Sequence, residues 1–225
     1  MWQVMRHAGT ADDLHHLDLA VGAGTIHDLV VSAPALVLGS TQSEGVLNAA
    51  AAVASGFSVA RRRSGGGLVA LVSSDVVWID LVIAPDDPRW DPDVGRAAEW
   101  VGAAWCDALV ALGVAGELVV HTGAPIRREM GRIVCFAGLG SGEVTASGSK
   151  LVGISQRRGR WGARFQTVIH RRWEPERWLG CLSAPPEGLS SALDGVTDLA
   201  SAVGSATAVS SHEAIVDALA AALSR

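Results

Sequence analysis

Apolar and polar positions along this chain recur with two periods, near two and near three and a half residues, and the switches between them mark out its elements. Residues 10–24 carry leucine and alanine at helical spacing (Leu14, Leu17, Ala20, Val21), which predicts a first helix. Residues 35–39 read as a strand ending in a turn, and residues 48–55 as a short alanine-rich helix closed by Gly56. Short apolar strands follow at 57–60 and 68–72, and Ser73-Ser74-Asp75 predicts a hairpin turn into a strand over 76–83. That last run is strongly apolar but short and broken by Asp80, so it reads as a buried strand and not a membrane span. After a loop rich in proline and aspartate, Val94, Ala97, Ala98, Val101, Ala104, Trp105, Ala108, Leu109 and Leu112 fall on one face of a helix that Gly113 ends. Further strands are predicted at 118–120, 132–136, 150–155 and 163–170, the last two joined by the basic turn Arg157-Arg158-Gly159-Arg160. Residues 174–182 predict a short helix. Pro185-Pro186 opens a linker-like stretch, and a final helix starts near 211 behind a capping box of Ser210 and Glu213.

Helices thus mix with strands without the strand–helix–strand rhythm of a parallel sheet. The expected class is α+β, with mixed, mostly antiparallel sheets flanked by helices. One domain is expected over residues 1–225, with residues 185–225 as a helical tail packed on it.

Composition changes this picture in three ways. The chain has 225 residues, is 49% hydrophobic and carries a net charge of −5, which argues against nucleic acid or an anionic membrane as partner. Three cysteines without disulfide or metal spacing, and an N-terminus without the apolar core of a signal peptide, predict a cytoplasmic protein. Most telling, Lys150 is the single lysine among 18 basic residues. Where arginine has taken every other cationic position, the remaining lysine is a candidate for work that needs a slim ammonium and not a planar fork.

Candidate chemistry gathers at three places. Arg61-Arg62-Arg63-Ser64-Gly65-Gly66-Gly67 combines a charge run with three glycines, whose bare backbone can approach a ligand and offer N–H groups to an anion. It lacks the lysine ending of a phosphate-binding P-loop, and a strand follows where a dinucleotide fold would begin a helix. Gly148-Ser149-Lys150-Leu151-Val152-Gly153-Ile154-Ser155-Gln156 opens a strand on the lysine and leaves bare backbone at Gly153, where a slender acyl chain could pack. Cys135 lies between large apolar residues, as inert cysteines do, yet a nearby cation could make it a nucleophile. Cys106 and Cys181 read as packing. The seven histidines form no metal motif; His170 could face the Lys150 site, although a capping or surface role fits it better.

Taken in order, Ala35-Leu36-Val37-Leu38-Gly39-Ser40-Thr41-Gln42, the arginine–triple-glycine loop and the Gly-x-Lys segment resemble the lipoate–protein ligase and octanoyltransferase family, whose catalytic domain is shared with biotin–protein ligases. The resemblance implies an enzyme that uses ATP with Mg2+ to make a lipoyl- or octanoyl-adenylate. The acyl group then passes to a lysine on the lipoyl carrier domain of a 2-oxoacid dehydrogenase or of the glycine-cleavage H protein. It implies that Arg62, Ser64, Gly65, Gly66 and Gly67 line the acyl and phosphate site, and that Lys150 holds the acyl carbonyl and phosphate oxygens; Gly153 is placed at the site by its bare backbone alone. The octanoyltransferase branch instead implies a Cys135 thioester, loaded from acyl carrier protein without ATP, because some of its members place a Cys-Phe pair 15 residues before the lysine. A non-catalytic relative that binds an acyl group or nucleotide is the third expectation. Two positions differ from the family pattern: Leu71 and Val72 stand where a His-Asp pair is usual, and Gly142-Glu143 near the place of an Asn-Asp pair.

Overall fold

Val76–Ile83 forms a strand that is buried at every residue, and the molecule is built on both of its faces. The computed structural model describes residues 2–19, 24–203 and 211–225. In chain order the strands are β1 (Gln3–Gly9), β2 (Thr25–Val31), β3 (Ala35–Leu38), β4 (Ser58–Arg61), β5 (Val69–Leu71), β6 (Val76–Ile83), β7 (Leu118–Val120), β8 (Val144–Ala146), β9 (Ser149–Gly159) and β10 (Gly162–His170). The helices are α1 (Ala11–His16), α2 (Ala49–Ala54), α3 (Glu99–Ala111), α4 (Arg128–Ile133), α5 (Glu176–Leu179), α6 (Leu189–Leu193), α7 (Leu199–Val203) and α8 (His212–Leu223), with 3-10 turns at Glu44–Val46 and Cys135–Ala137.

Seven strands form one sheet in the order β1-β2-β6-β10-β9-β8-β7, and three form a second in the order β4-β3-β5. Only the β1–β2 and β3–β4 pairs are parallel. The period-two alternation of β6 divides its side chains between two cores. Val77, Ile79, Leu81 and Ile83 join Trp105, Leu109, Ile215 and Leu219 of α3 and α8. Val76 and Trp78 face the smaller sheet and meet its Val37, Val69 and Leu71. On the outer face of that sheet, Leu36, Leu38 and Ala70 pack with Trp178, Leu189 and Leu193 of α5 and α6. The α+β expectation with mostly antiparallel pairing therefore holds, and the space between the sheets becomes the important region.

Several local expectations are corrected. Ser73-Ser74-Asp75 does not close a hairpin, because β5 and β6 belong to different sheets and the turn carries the chain from one to the other. The first helix stops at His16, well short of residue 24. Its last carbonyls are taken by the Arg164 guanidinium, which donates to the oxygens of Leu14 and Leu17 at 3.1 Å each. Ala20 and Val21 lie outside the described residues. The segment over 132–136 is not a strand: α4 runs through Arg132 and a 3-10 turn holds Cys135. It is docked beside β5 by Leu68 N to Ile133 O and Cys135 N to Leu68 O, both 2.9 Å. The stretch after Pro186 contains α6 and α7. Ser210 lies outside the described residues, and α8 is capped by Ser211, whose hydroxyl accepts from Ala214 N. Among the described residues, no helix is long and apolar enough to cross a membrane.

Candidate functional site

The three arginines before the glycines go to three places. Arg61 reaches back to the carbonyls of Gly39 and Gln42 at 2.9 and 2.7 Å and pins that loop. Arg63 turns outward toward Asp18. Arg62 turns inward, 6% exposed, and donates to Gly67 O at 2.9 Å. The glycines also divide the work. Gly65 and Gly66 line an open cleft of about 580 Å³. Their N–H groups donate to no main-chain carbonyl among the described residues. Gly66 has φ 101°, a backbone that disfavours any side chain. A Cβ there would lie 2.7 Å from the Arg62 guanidinium and 4.0 Å from Cys135 Sγ, so loop, arginine and thiol meet at one point. Gly67 serves packing instead. A Cβ on it would come within 2.5 Å of Gly131 O and 2.8 Å of Cys135 N, so its bareness lets the loop close on α4 and the turn after it.

The cleft wall opposite is α4. Its entry residue, Arg127, is left-handed at φ 49°, and the helix sends Arg128 and Arg132 to the cleft. Both are exposed. Neither has an ion-pair partner among the described residues, so the cleft presents two uncommitted cations beside free backbone donors. That set suits a phosphate or carboxylate.

Behind the cleft, between the two sheets, lies a smaller chamber of about 20 Å³. Val37, Val69, Leu71, Trp78, Phe136 and Val168 supply its apolar wall, with His15, Arg62 and Gln166 among them. Cys135, Ile154 and Ser155 line both spaces, which makes Cys135 the threshold between them.

The sequence matches the lipoyl protein ligase A/B catalytic domain over residues 16–224. This chain belongs to that family. Membership makes it an enzyme of the ligase or transferase type. Comparison with curated protein sequences finds no match. Among solved structures, it is similar to a bipartite lipoate protein ligase studied with its E2 lipoyl domain from Thermoplasma acidophilum (TM-score 0.72, 15% identity, 99% of this chain and 82% of that one). It is similar to lipoate-protein ligase A bound with ATP (TM-score 0.63, 17% identity, 87% and 69%). It is also similar to the biotin protein ligase of Aquifex aeolicus in complex with biotin and ATP (TM-score 0.53, 9% identity, 98% and 68%). These likenesses establish the fold.

Within this lipoyl-ligase fold, Lys150 stands differently from the expectation of an ammonium facing the glycine loop. It is 1% exposed and does not line the cleft. Its Nζ donates to Cys135 O at 3.0 Å and Gly138 O at 2.9 Å, pairs with Glu143 Oε2 at 2.6 Å, and lies 4.8 Å from the centre of the Phe136 ring. The three N–H donors are all used, and all three acceptors belong to residues of the cleft wall. Lys150 is thus the post behind that wall. Glu143, which the sequence offers only as a departure from the family pair, accepts from Gly140 N at 2.7 Å and Ile154 N at 3.0 Å as well.

Ser64 also turns inward, 2% exposed, its hydroxyl donating to Gln166 Oε1 at 2.6 Å and lying 3.1 Å from Ser155 Oγ. Gly153 lines the inner chamber, but the Phe136 ring already fills the space over it, 2.9 Å from where a Cβ would be. His170 is neither a cap nor on the surface: it is 4% exposed, packed edge-on to Phe136, and burial drives its pKa down to about 3. Arg128 and Arg132 escape a reading that expects a strand across 132–136; the helical spacing of 128 and 132 is the signal that could have found them. The cleft offers no ligand set for Mg2+, since its single carboxylate, Glu143, is consumed by Lys150 and two backbone amides, and no group of three metal-binding side chains occurs among the described residues.

Proposed function

We propose that this chain activates a carboxylic acid with ATP and transfers the acyl group to a lysine on a carrier domain, lipoate and octanoate being the acids and lipoyl domains the acceptors that the family suggests. The observation that carries this reading is the pairing of an anion-suited cleft with an inter-sheet chamber through one shared threshold. In the first step the acid's carboxylate oxygen attacks the α-phosphorus and pyrophosphate leaves. In the second the carrier amine attacks the acyl carbonyl, an amide forms and AMP leaves, the amine proton passing to solvent. Arg128, Arg132 and the Gly65–Gly66 amides are suited to the phosphate charge in both steps, acting as donors fixed in advance of the reaction. Lys150 acts as a positioning residue that holds Cys135, Gly138 and Glu143 in the wall.

A second reading rests on the place of Cys135 at the threshold. There the thiol sulfur would attack an incoming acyl thioester, the donor thiol would leave with the proton, and the Cys135 thioester would pass its acyl group to the carrier lysine without ATP. Isotope exchange between ATP and pyrophosphate, dependent on added lipoate or octanoate, separates the two. Exchange that survives Cys135→Ser supports the adenylate. Absent exchange together with an octanoyl mass adduct on Cys135 overturns it in favour of the thioester.

A further inference from the structure

The wall of the inner chamber is mostly apolar, with His15, Arg62, Ser155 and Gln166 as its polar side chains. His15 Nε2 and Arg62 Nε are buried with no hydrogen-bond partner among the described residues, and both residues line it. Their side chains belong to residues only 5% and 6% exposed. Gln166 Oε1 accepts from Ser64, and its Nε2 lies 3.3 Å from the Asp80 carboxylate and 3.2 Å from His15 Nδ1. The carboxylate fixes that amide orientation, because a flipped amide would set oxygen against oxygen. The amide nitrogen only donates, so His15 Nδ1 accepts. Burial, then Arg62 and Arg164, push the ring's pKa well below its usual range, so the ring is neutral and its one proton sits on Nε2. Both orphan atoms are therefore N–H donors, one of them on a cation.

A buried donor without an acceptor is costly, about 1–3 kcal/mol. Two of them on one chamber call for an oxygen. Size points the same way. About 10–15 Å³ on this measure admits one water-sized group, so 20 Å³ admits one. A file of eight carbons needs on the order of 100 Å³. Trp78, tilted against His15 with 4.2 Å between ring centres, and Phe136 over Gly153 fill the space around the chamber.

Building on the acyl-transfer reading above, we infer that the acyl group this enzyme carries is short and ends in an oxygen acceptor that His15 and Arg62 receive, in place of a lipoyl or octanoyl tail. The reacting carboxyl would remain at the Cys135 threshold with the far oxygen in the chamber.

Isothermal titration of the full chain with succinate, butyrate, octanoate and lipoate, each with and without a non-hydrolysable ATP analogue, tests this. Succinate is expected to bind at least tenfold tighter than butyrate, and tighter than octanoate or lipoate. His15→Phe should erase the succinate preference and His15→Gln, which keeps an N–H donor, should retain part of it, with thermal melts checking that both fold. Tighter binding of octanoate or lipoate overturns the inference and leaves the acyl-transfer reading standing. Equal binding of succinate and butyrate also overturns it, and means that the chamber holds only a water. If no acid binds and no exchange with pyrophosphate occurs, the acyl-transfer reading itself falls, and this inference with it.

Discussion

The Lys150 ammonium has three N–H donors and three acceptors within 3.0 Å: two carbonyls and the Glu143 carboxylate. Removing one member of such a buried pair strands the other, at about 3–5 kcal/mol, whereas removing both costs much less than the sum. Lys150→Met should therefore lower stability by about that amount in a urea titration, and Lys150→Met combined with Glu143→Gln should recover a large part of it. Equal losses in the two variants would contradict the post-behind-the-wall role. Arg128 and Arg132 make the opposite case. Among the described residues their side chains make no hydrogen bond or ion pair, so Arg128→Ala with Arg132→Ala should leave the melting temperature within a few degrees. ATP affinity should fall at least tenfold, since each charge-assisted hydrogen bond is worth about 1.5–3 kcal/mol; unchanged affinity by calorimetry would remove the cleft from nucleotide binding. The sequence made Lys150 conspicuous, since one lysine among so many arginines can be counted. It did not reveal where the amine points, because two of the acceptors are backbone carbonyls whose positions depend on how residues 128–138 fold.

Those residues are also where periodicity misleads at the level of elements. Arg132-Ile133-Val134-Cys135-Phe136 has strand composition, yet close backbone approach decides its shape. Gly67 abuts Gly131 O, and a Cβ on Gly131 would come within 3.0 Å of Gly138 Cα. Such glycine-to-glycine contacts are invisible to periodicity. Gly67→Ala should thus destabilise the protein by about 1–3 kcal/mol through overpacking, and it should raise the reactivity of Cys135 toward a maleimide by loosening the turn it abuts. A fully stable, unreactive variant would show that the contact relaxes elsewhere. By contrast, α3, β6, β9 and β10 were legible because long apolar runs or clean amphipathic spacing left few alternatives. Strands β1 and β2 were not, since polar residues such as Arg6 and His7 on β1 and the buried His27 and Asp28 on β2 interrupt their pattern with ion pairs and ring contacts made across the sheet.

At the scale of the molecule, the fold holds histidines neutral in its interior. Burial lowers His27 to about 4 and His170 to about 3, and His15 lies well below the ordinary value. The unfolded chain protonates them near 6.5 and so binds more protons than the fold as pH falls. Their contribution is full above about pH 6.5 and is lost progressively as pH falls from there toward about 4 for His27 and about 3 for His170, at up to roughly 1.4 kcal/mol per pH unit for each. Denaturant midpoints should drop steeply between pH 7 and 5, and a midpoint that does not move over that range would refute the neutral, buried assignment. The layered architecture was legible as a class from the mixture of helices and antiparallel strands. The two-sheet division was not, because the turn after β5 looks like any hairpin.

That turn has a kinetic meaning. Leu71 and Trp78 face each other across the inner chamber from different sheets, joined by a short link. The link is clamped by Asp75 N to Val72 O at 2.8 Å and by the Arg177–Asp75 pair at 2.7 Å. With the hinge riveted on that side, the chamber adjoins the cleft along Cys135, Ile154 and Ser155. On the acyl-transfer reading proposed above, whatever is to occupy the back room would come through the vestibule while it is still vacant, which predicts that the acid boards before the nucleotide; equal affinity for the acid with and without a bound nucleotide analogue would contradict that order.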